Sequence, residues 1–212
     1  MATPAESKIL REGSVRKRAA ILAAAREKFL AEGFERVSMD AIASLAAVSK
    51  RTVYDYYGDK RALLLAVVEQ AIDGLGVSVA AAIDGHLREV VNIEDALVGF
   101  ATAITDSAIG SSDYTALMRL LSSESDNLPE MREKHWQDIE PEDAVAERFA
   151  ALTERGALDT PNPRRAADHF VALTLSPSVY ALGRPALSSS EDTRDMIIDG
   201  VRAFLRAYAP RV

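Results

Sequence analysis

From residue 14 to the far end of this 212-residue chain, apolar residues return every three or four positions, and they do not alternate with polar ones over any useful length. A three- to four-residue return lines side chains along one stripe of a helix, whereas alternation lines them on one face of a strand. The pattern predicts an all-α fold. Ile21, Leu22, Ala25, Phe29 and Leu30 mark a helix over residues 14–32. Gly33 is placed to end it, because glycine adopts the left-handed conformation cheaply. Ser38 is a good N-cap for a short helix to Ala46, with Met39, Ile42, Ala43 and Ala46 inward, and Ser49 for another from Lys50 to Tyr56. Gly58 and Asp59 break the chain before a long helix from Lys60 to about Gly85. Further helices are expected over 93–108, 113–123, 129–137, 141–156, 163–182 and 191–209, punctuated by Pro, Gly and Ser. Residues 1–13 read as a flexible tail.

Composition narrows the function classes. The absence of cysteine excludes disulfides, thiolate zinc sites and cysteine nucleophiles. No signal-peptide core stands at the start. No apolar run approaches the ~20 residues of a membrane span; the richest, Ala62 to Val68, continues into Glu69, Gln70 and Asp73. A cytoplasmic protein with no membrane partner is expected. His86, His135 and His169 lie far apart and lack the spacing of a metal site. Nucleophile-elbow, phosphate-loop and zinc-helix motifs are missing, so neither an enzyme nor a cofactor is expected.

The net charge of −7 alone argues against nucleic acid, but its distribution argues for it. Residues 1–60 hold 11 Lys/Arg against 8 Asp/Glu, a net of +3, while residues 61–212 hold 14 against 24, a net of −10. A polyanion-binding surface would therefore lie in the first 60 residues.

Two short helices joined by the tight turn Ala46-Ala47-Val48-Ser49, after a helix able to brace them, have helix-turn-helix spacing. A helix entering a major groove about 12 Å wide needs a polar outer face and an apolar inner one. Val48 and Val53 supply the inner face; Ser49, Lys50, Arg51, Thr52, Asp55 and Tyr56 can face outward. Lys50 and Arg51 could donate to guanine edges or phosphates, while Thr52, Tyr54 and Tyr56 offer hydroxyls. Ser38 and Lys60 stand at helix starts, where backbone N–H groups favour a phosphate. The same residues also suit an ordinary wet surface, with the tyrosines as core aromatics.

The run Ile21-Leu22-x-Ala-Ala, Phe29, Gly33, Ser38-Met39, Ile42-Ala43, Ala47-Val48-Ser49-Lys50, Thr52-Val53-Tyr54-x-Tyr56-Tyr57-x-Asp59-Lys60 and Leu63-Leu64 resembles the DNA-binding segment of the TetR (tetracycline-repressor-like) family. The resemblance implies a three-helix DNA-binding domain over residues 1–60. It places the recognition helix on Ser49 to Tyr56, DNA-facing positions on Lys50, Arg51, Thr52, Tyr54 and Tyr56, and a phosphate-binding lysine on Lys60. Ala47 stands where the family usually has glycine, so an alanine-compatible conformation is expected there. Tyr57 replaces the usual phenylalanine.

The body, residues 61–212, is similar to an AcrR-like C-terminal domain at Leu117-Met118-Arg119-Leu120, Leu128-Pro129-Glu130, Arg155-Gly156-Ala157-Leu158 and Phe204-Leu205-x-x-Tyr208. This implies a homodimer through the last two long helices, a double-stranded, palindromic operator and a small apolar or amphipathic effector. Phe100, Ile104, Tyr114, Met118, Trp136, Phe149 and Phe170 are candidate pocket walls, although residues of each of these kinds are more often plain core. Leu173, Val179, Tyr180, Ile197, Val201, Phe204 and Leu205 are candidate dimer contacts; the alternative is that these stripes face their own core.

Overall fold

The computed structural model describes residues 4–109, 117, 120, 141–182 and 190–210, with side chains described over 13–107, 117, 120, 143–176 and 191–210. The expected helices over 113–123 and 129–137 therefore lie outside the described residues, apart from Leu117 and Leu120. Among the described residues all regular structure is helical. The helices are α1 (Pro4–Glu32), α2 (Met39–Leu45), α3 (Lys50–Tyr57), α4 (Lys60–Ala82), α5 (Ile93–Ile104), α6 (Pro141–Glu154), α7 (Pro163–Leu182) and α8 (Ser190–Tyr208). Short π-helical turns, Ile83–Leu87 and Thr105–Ile109, extend α4 and α5.

Helix α1 begins well before the expected start. Residues assigned to a tail continue the helix, for which Pro4 at the first position and Ala5, Glu6, Lys8, Leu10 and Arg11 beyond it are suited. Its other end is where the sequence puts it: Gly33 takes φ +80° and its N–H reaches the Phe29 carbonyl at 3.0 Å.

The chain divides into two compact units. The head contains α1, α2, α3 and the first half of α4, up to Ile72, together with Leu117 and Leu120. Its core is Ile21, Ala25, Phe29, Ile42, Val53, Leu63, Leu64, Val67 and Val68, all essentially without exposure. A boundary at residue 60 would cut four of these side chains from the core they fill, so the head extends beyond the segment expected from the sequence. The stretch Lys60–Leu87 also passes, on length and composition, for a membrane span, which the sequence reading did not anticipate. In the fold part of it is buried, with Leu63, Leu64, Val67 and Val68 in one core and Val79, Ala82 and Leu87 in the other, while Val77 is exposed.

The body is built on α7, packed against α6 and α8, with α5 packed against α8 and reaching α7 through Phe100. Its centre is a junction of phenylalanines. Phe170 meets Phe149 and Phe204 edge-on, with ring centroids 5.6 and 5.3 Å away, and Phe100 at 5.7 Å. Helices α7 and α8 approach so closely at Gly200 that a Cβ there would run into the Leu173 carbonyl.

Candidate nucleic-acid interface

The head is assembled by local capping chemistry. The Ser38 hydroxyl accepts from the Ala41 N–H at 3.1 Å and starts α2; the Ser49 hydroxyl accepts from the Thr52 N–H at 3.0 Å and starts α3. Between them α2 closes with two crossed bonds, Val48 N–H to the Ala43 carbonyl at 3.0 Å and Ala47 N–H to Ser44 at 3.2 Å. This closure is the double-bonded C-terminal motif that requires a left-handed residue. That residue is Ala47, at φ +53°. The expected alanine-compatible conformation is thus overturned: the geometry that folds α3 back on α2 is the one glycine would adopt freely, and Ala47 holds it at a cost of ~1 kcal/mol.

The candidate DNA-facing residues fall into two groups. Arg51 projects from α3 with its side chain 89% exposed, paired loosely with Asp55 at 3.8 Å. Tyr54, 43% exposed, lies on the same helix one turn on. Lys50 is exposed too, with its ammonium 2.7 Å from the Asp40 carboxylate of α2. The hydrogen bond and charge of Asp40 hold the Lys50 ammonium above the usual lysine pKa.

The other candidates are already occupied within the head. Thr52 is half-buried and shares a 2.7 Å hydrogen bond with the Ser49 hydroxyl. Tyr56 donates its hydroxyl to Ser14 of α1 at 3.1 Å, with the Arg18 guanidinium 5.1 Å from its ring centroid. The additional hydroxyl of Tyr57 is 3.4 Å from the Arg18 carbonyl, and burial raises its pKa. Lys60 donates to three backbone carbonyls of the loop between α1 and α2, Phe34 at 2.8 Å, Glu35 at 3.2 Å and Val37 at 3.1 Å, and sits 4.5 Å from the Phe34 ring centroid. An ammonium has three donors, and all three are used here.

Sequence reasoning missed Asp40 and Arg18 because their partners are brought near only by the turn and by the packing of α1 on α3. No periodicity signals a pair ten residues apart across two helices.

The profile of the bacterial regulatory proteins of the tetR family matches residues 21–67, spanning this whole capped arrangement. The profile of the C-terminal domain of AefR-like transcriptional repressors matches residues 95–210, more than half of the chain. This chain belongs to the tetR family. It is a DNA-binding transcriptional regulator, not an enzyme. A TetR-family transcriptional regulator from Mesorhizobium loti has a similar structure, with TM-score 0.83 and 28% identity over 92% of this chain and 98% of that one. The flavonoid-responsive regulator FrrA superposes with TM-score 0.68 and 28% identity over 93% of this chain and 99% of its own. The activator FasR of Mycolicibacterium smegmatis is 39% identical over 59 residues, which are 28% of this chain and only 27% of FasR.

In the body of this TetR-family regulator, Phe100, Ile104, Phe149 and Phe170 are all buried, and the three phenylalanines pack on one another. Tyr114, Met118 and Trp136 lie outside the described residues, as do the side chains of Val179 and Tyr180. The dimer candidates separate. Ile197, Val201 and Phe204 are buried within their own chain, so they have no surface left for a mate; the stripe they form is the inner face of α8. Leu173 on α7 is 38% exposed and Leu205 is half-buried. His169 Nδ1 lies 2.7 Å from the Tyr208 hydroxyl, tying α7 to α8 by an exposed hydrogen bond. Thr102 of α5 adds a feature the sequence does not signal: its hydroxyl is buried with no hydrogen-bond partner among the described residues.

Proposed function

We propose that this protein is a cytoplasmic, ligand-responsive repressor that binds a palindromic operator as a homodimer. The observation that carries the reading is the outer face of α3, where Arg51, Tyr54 and Lys50 stand open on a helix locked from behind by Val53 and capped by Ser49. Arg51 and Lys50 suit guanine edges or phosphates. Tyr54 and the capped helix starts at Ser38 and Ser49 suit phosphates. In this reading Thr52, Tyr56 and Lys60 contribute by holding the recognition helix in position, and reach DNA only if their internal partners are released.

Two copies joined through α7 and α8, with Leu173 and Leu205 on the joining surface, would present recognition helices about one DNA turn, ~34–36 Å, apart. Repression is inferred because the repressor profile spans most of the body, although FasR is named an activator. A small apolar or amphipathic effector is inferred from the flavonoid responsiveness in the name of FrrA. Effector and operator would each weaken the other's binding by the same factor.

The test is fluorescence anisotropy with duplexes from upstream of the protein's own gene, across a salt series. Arg51→Ala is expected to lose about 1–3 kcal/mol of operator binding and to discriminate less between bases. If neither those duplexes nor a genome-wide selection yields DNA bound better than random sequence, the reading is wrong.

A further inference from the structure

Asp40 is the one acidic residue in the first turn of α2, and α3 has none in its own. Lys50 opens α3, where the helix dipole disfavours a cation. The Asp40 carboxylate, 2.7 Å from its ammonium, compensates that charge across the turn. Both side chains remain more than half exposed, at 52% and 65%, on the head's outer surface. Asp40 takes one of the three ammonium donors of Lys50 and keeps a carboxylate 2.7 Å from it, so a phosphate that approaches Lys50 meets a like charge beside the cation.

We propose that Asp40 is a specificity-determining residue of the head, withholding Lys50 from phosphates so that DNA lacking the right base contacts is bound weakly. Non-specific DNA offers mainly phosphates, and Lys50 meets them with its charge compensated by Asp40. An operator also offers a base-edge acceptor in the groove, and that contact offsets the loss of the pair. The carboxylate therefore weakens both modes but the non-specific one more, and selectivity is the difference between them. The proposal rests on DNA reading by the outer face of α3.

The test compares wild type with Asp40→Asn, Lys50→Ala and the double variant. The probes are a duplex enriched by the wild-type protein from random-sequence DNA and a scrambled duplex of equal length. Asp40→Asn is expected to bind the scrambled duplex roughly fivefold tighter, the scale of an exposed ion pair. Its salt slope on that duplex should steepen by about 0.9, one further counterion released. Binding to the enriched duplex should rise less, so the ratio of the two affinities falls. In the Lys50→Ala background most of that fall should vanish. Equal tightening on both duplexes, or the same fall without Lys50, would reduce Asp40 to long-range repulsion and overturn the proposal. If wild type enriches no sequence, the DNA-reading function fails and this proposal with it; if wild type enriches one and Asp40→Asn keeps the full ratio, only this proposal fails.

Discussion

The tyrosines of α3 in the head and the phenylalanines at the centre of the body are used in opposite ways. In the head, Tyr54, Tyr56 and Tyr57 keep their hydroxyls at or near the surface, where one is open and two tie α3 back to α1. In the body, Phe100, Phe149, Phe170 and Phe204 interlock with no exposure at all. A hydroxyl makes an aromatic useful where a polar partner must be met, and its absence lets rings pack without a group to satisfy. The contrast explains why the head offers a DNA-facing surface from a few short helices. It also explains why apolar stripes in the body, which look available to an effector or a partner, are largely consumed by their own core.

The largest effect that tests this contrast is in the body. Phe170→Ala should lower the unfolding free energy by about 4 kcal/mol, since it opens a cavity at a junction of four rings. Urea midpoints measure it. A midpoint close to wild type would mean that the ring faces an existing void, as a pocket wall would.

A smaller effect separates bracing from DNA contact in the head. Lys60→Ala should cost about 2 kcal/mol, because three carbonyls lose a charged donor. The salt slope of DNA binding should not change. A slope flatter by about 0.9 with unaltered stability would instead make Lys60 a phosphate contact in the complex, as the family resemblance implies. The smallest effect has the opposite sign. Ala47→Gly should stabilise the head by about 0.5–1 kcal/mol, the relief of a left-handed alanine less the extra freedom glycine gives the unfolded chain. A destabilised variant would show that the methyl group contributes packing worth more than its strain.

Much of the fold was legible because its signals are local. Ser38, Ser49, Gly33 and Gly58 mark helix ends through bonds made within four residues, and these cost nothing to infer from order along the chain. The stripes of α5 and α8 were legible for the same reason. The early start of α1 was missed because polar and charged helix formers carry no apolar stripe.

The candidate site was legible in its position and less so in its roles. The sequence alone determined that Arg51, Tyr54 and Lys50 share a short capped helix after a tight turn, since side-chain direction on a helix follows from the 3.6-residue repeat. Only the tertiary structure decided which neighbours those side chains already have: Asp40 on Lys50, Ser14 on Tyr56, three carbonyls on Lys60, and a close-packed core against Ile197, Val201 and Phe204. A periodic pattern shows that a stripe is buried but not what buries it, because that depends on contacts between residues distant in the chain, brought together only by folding.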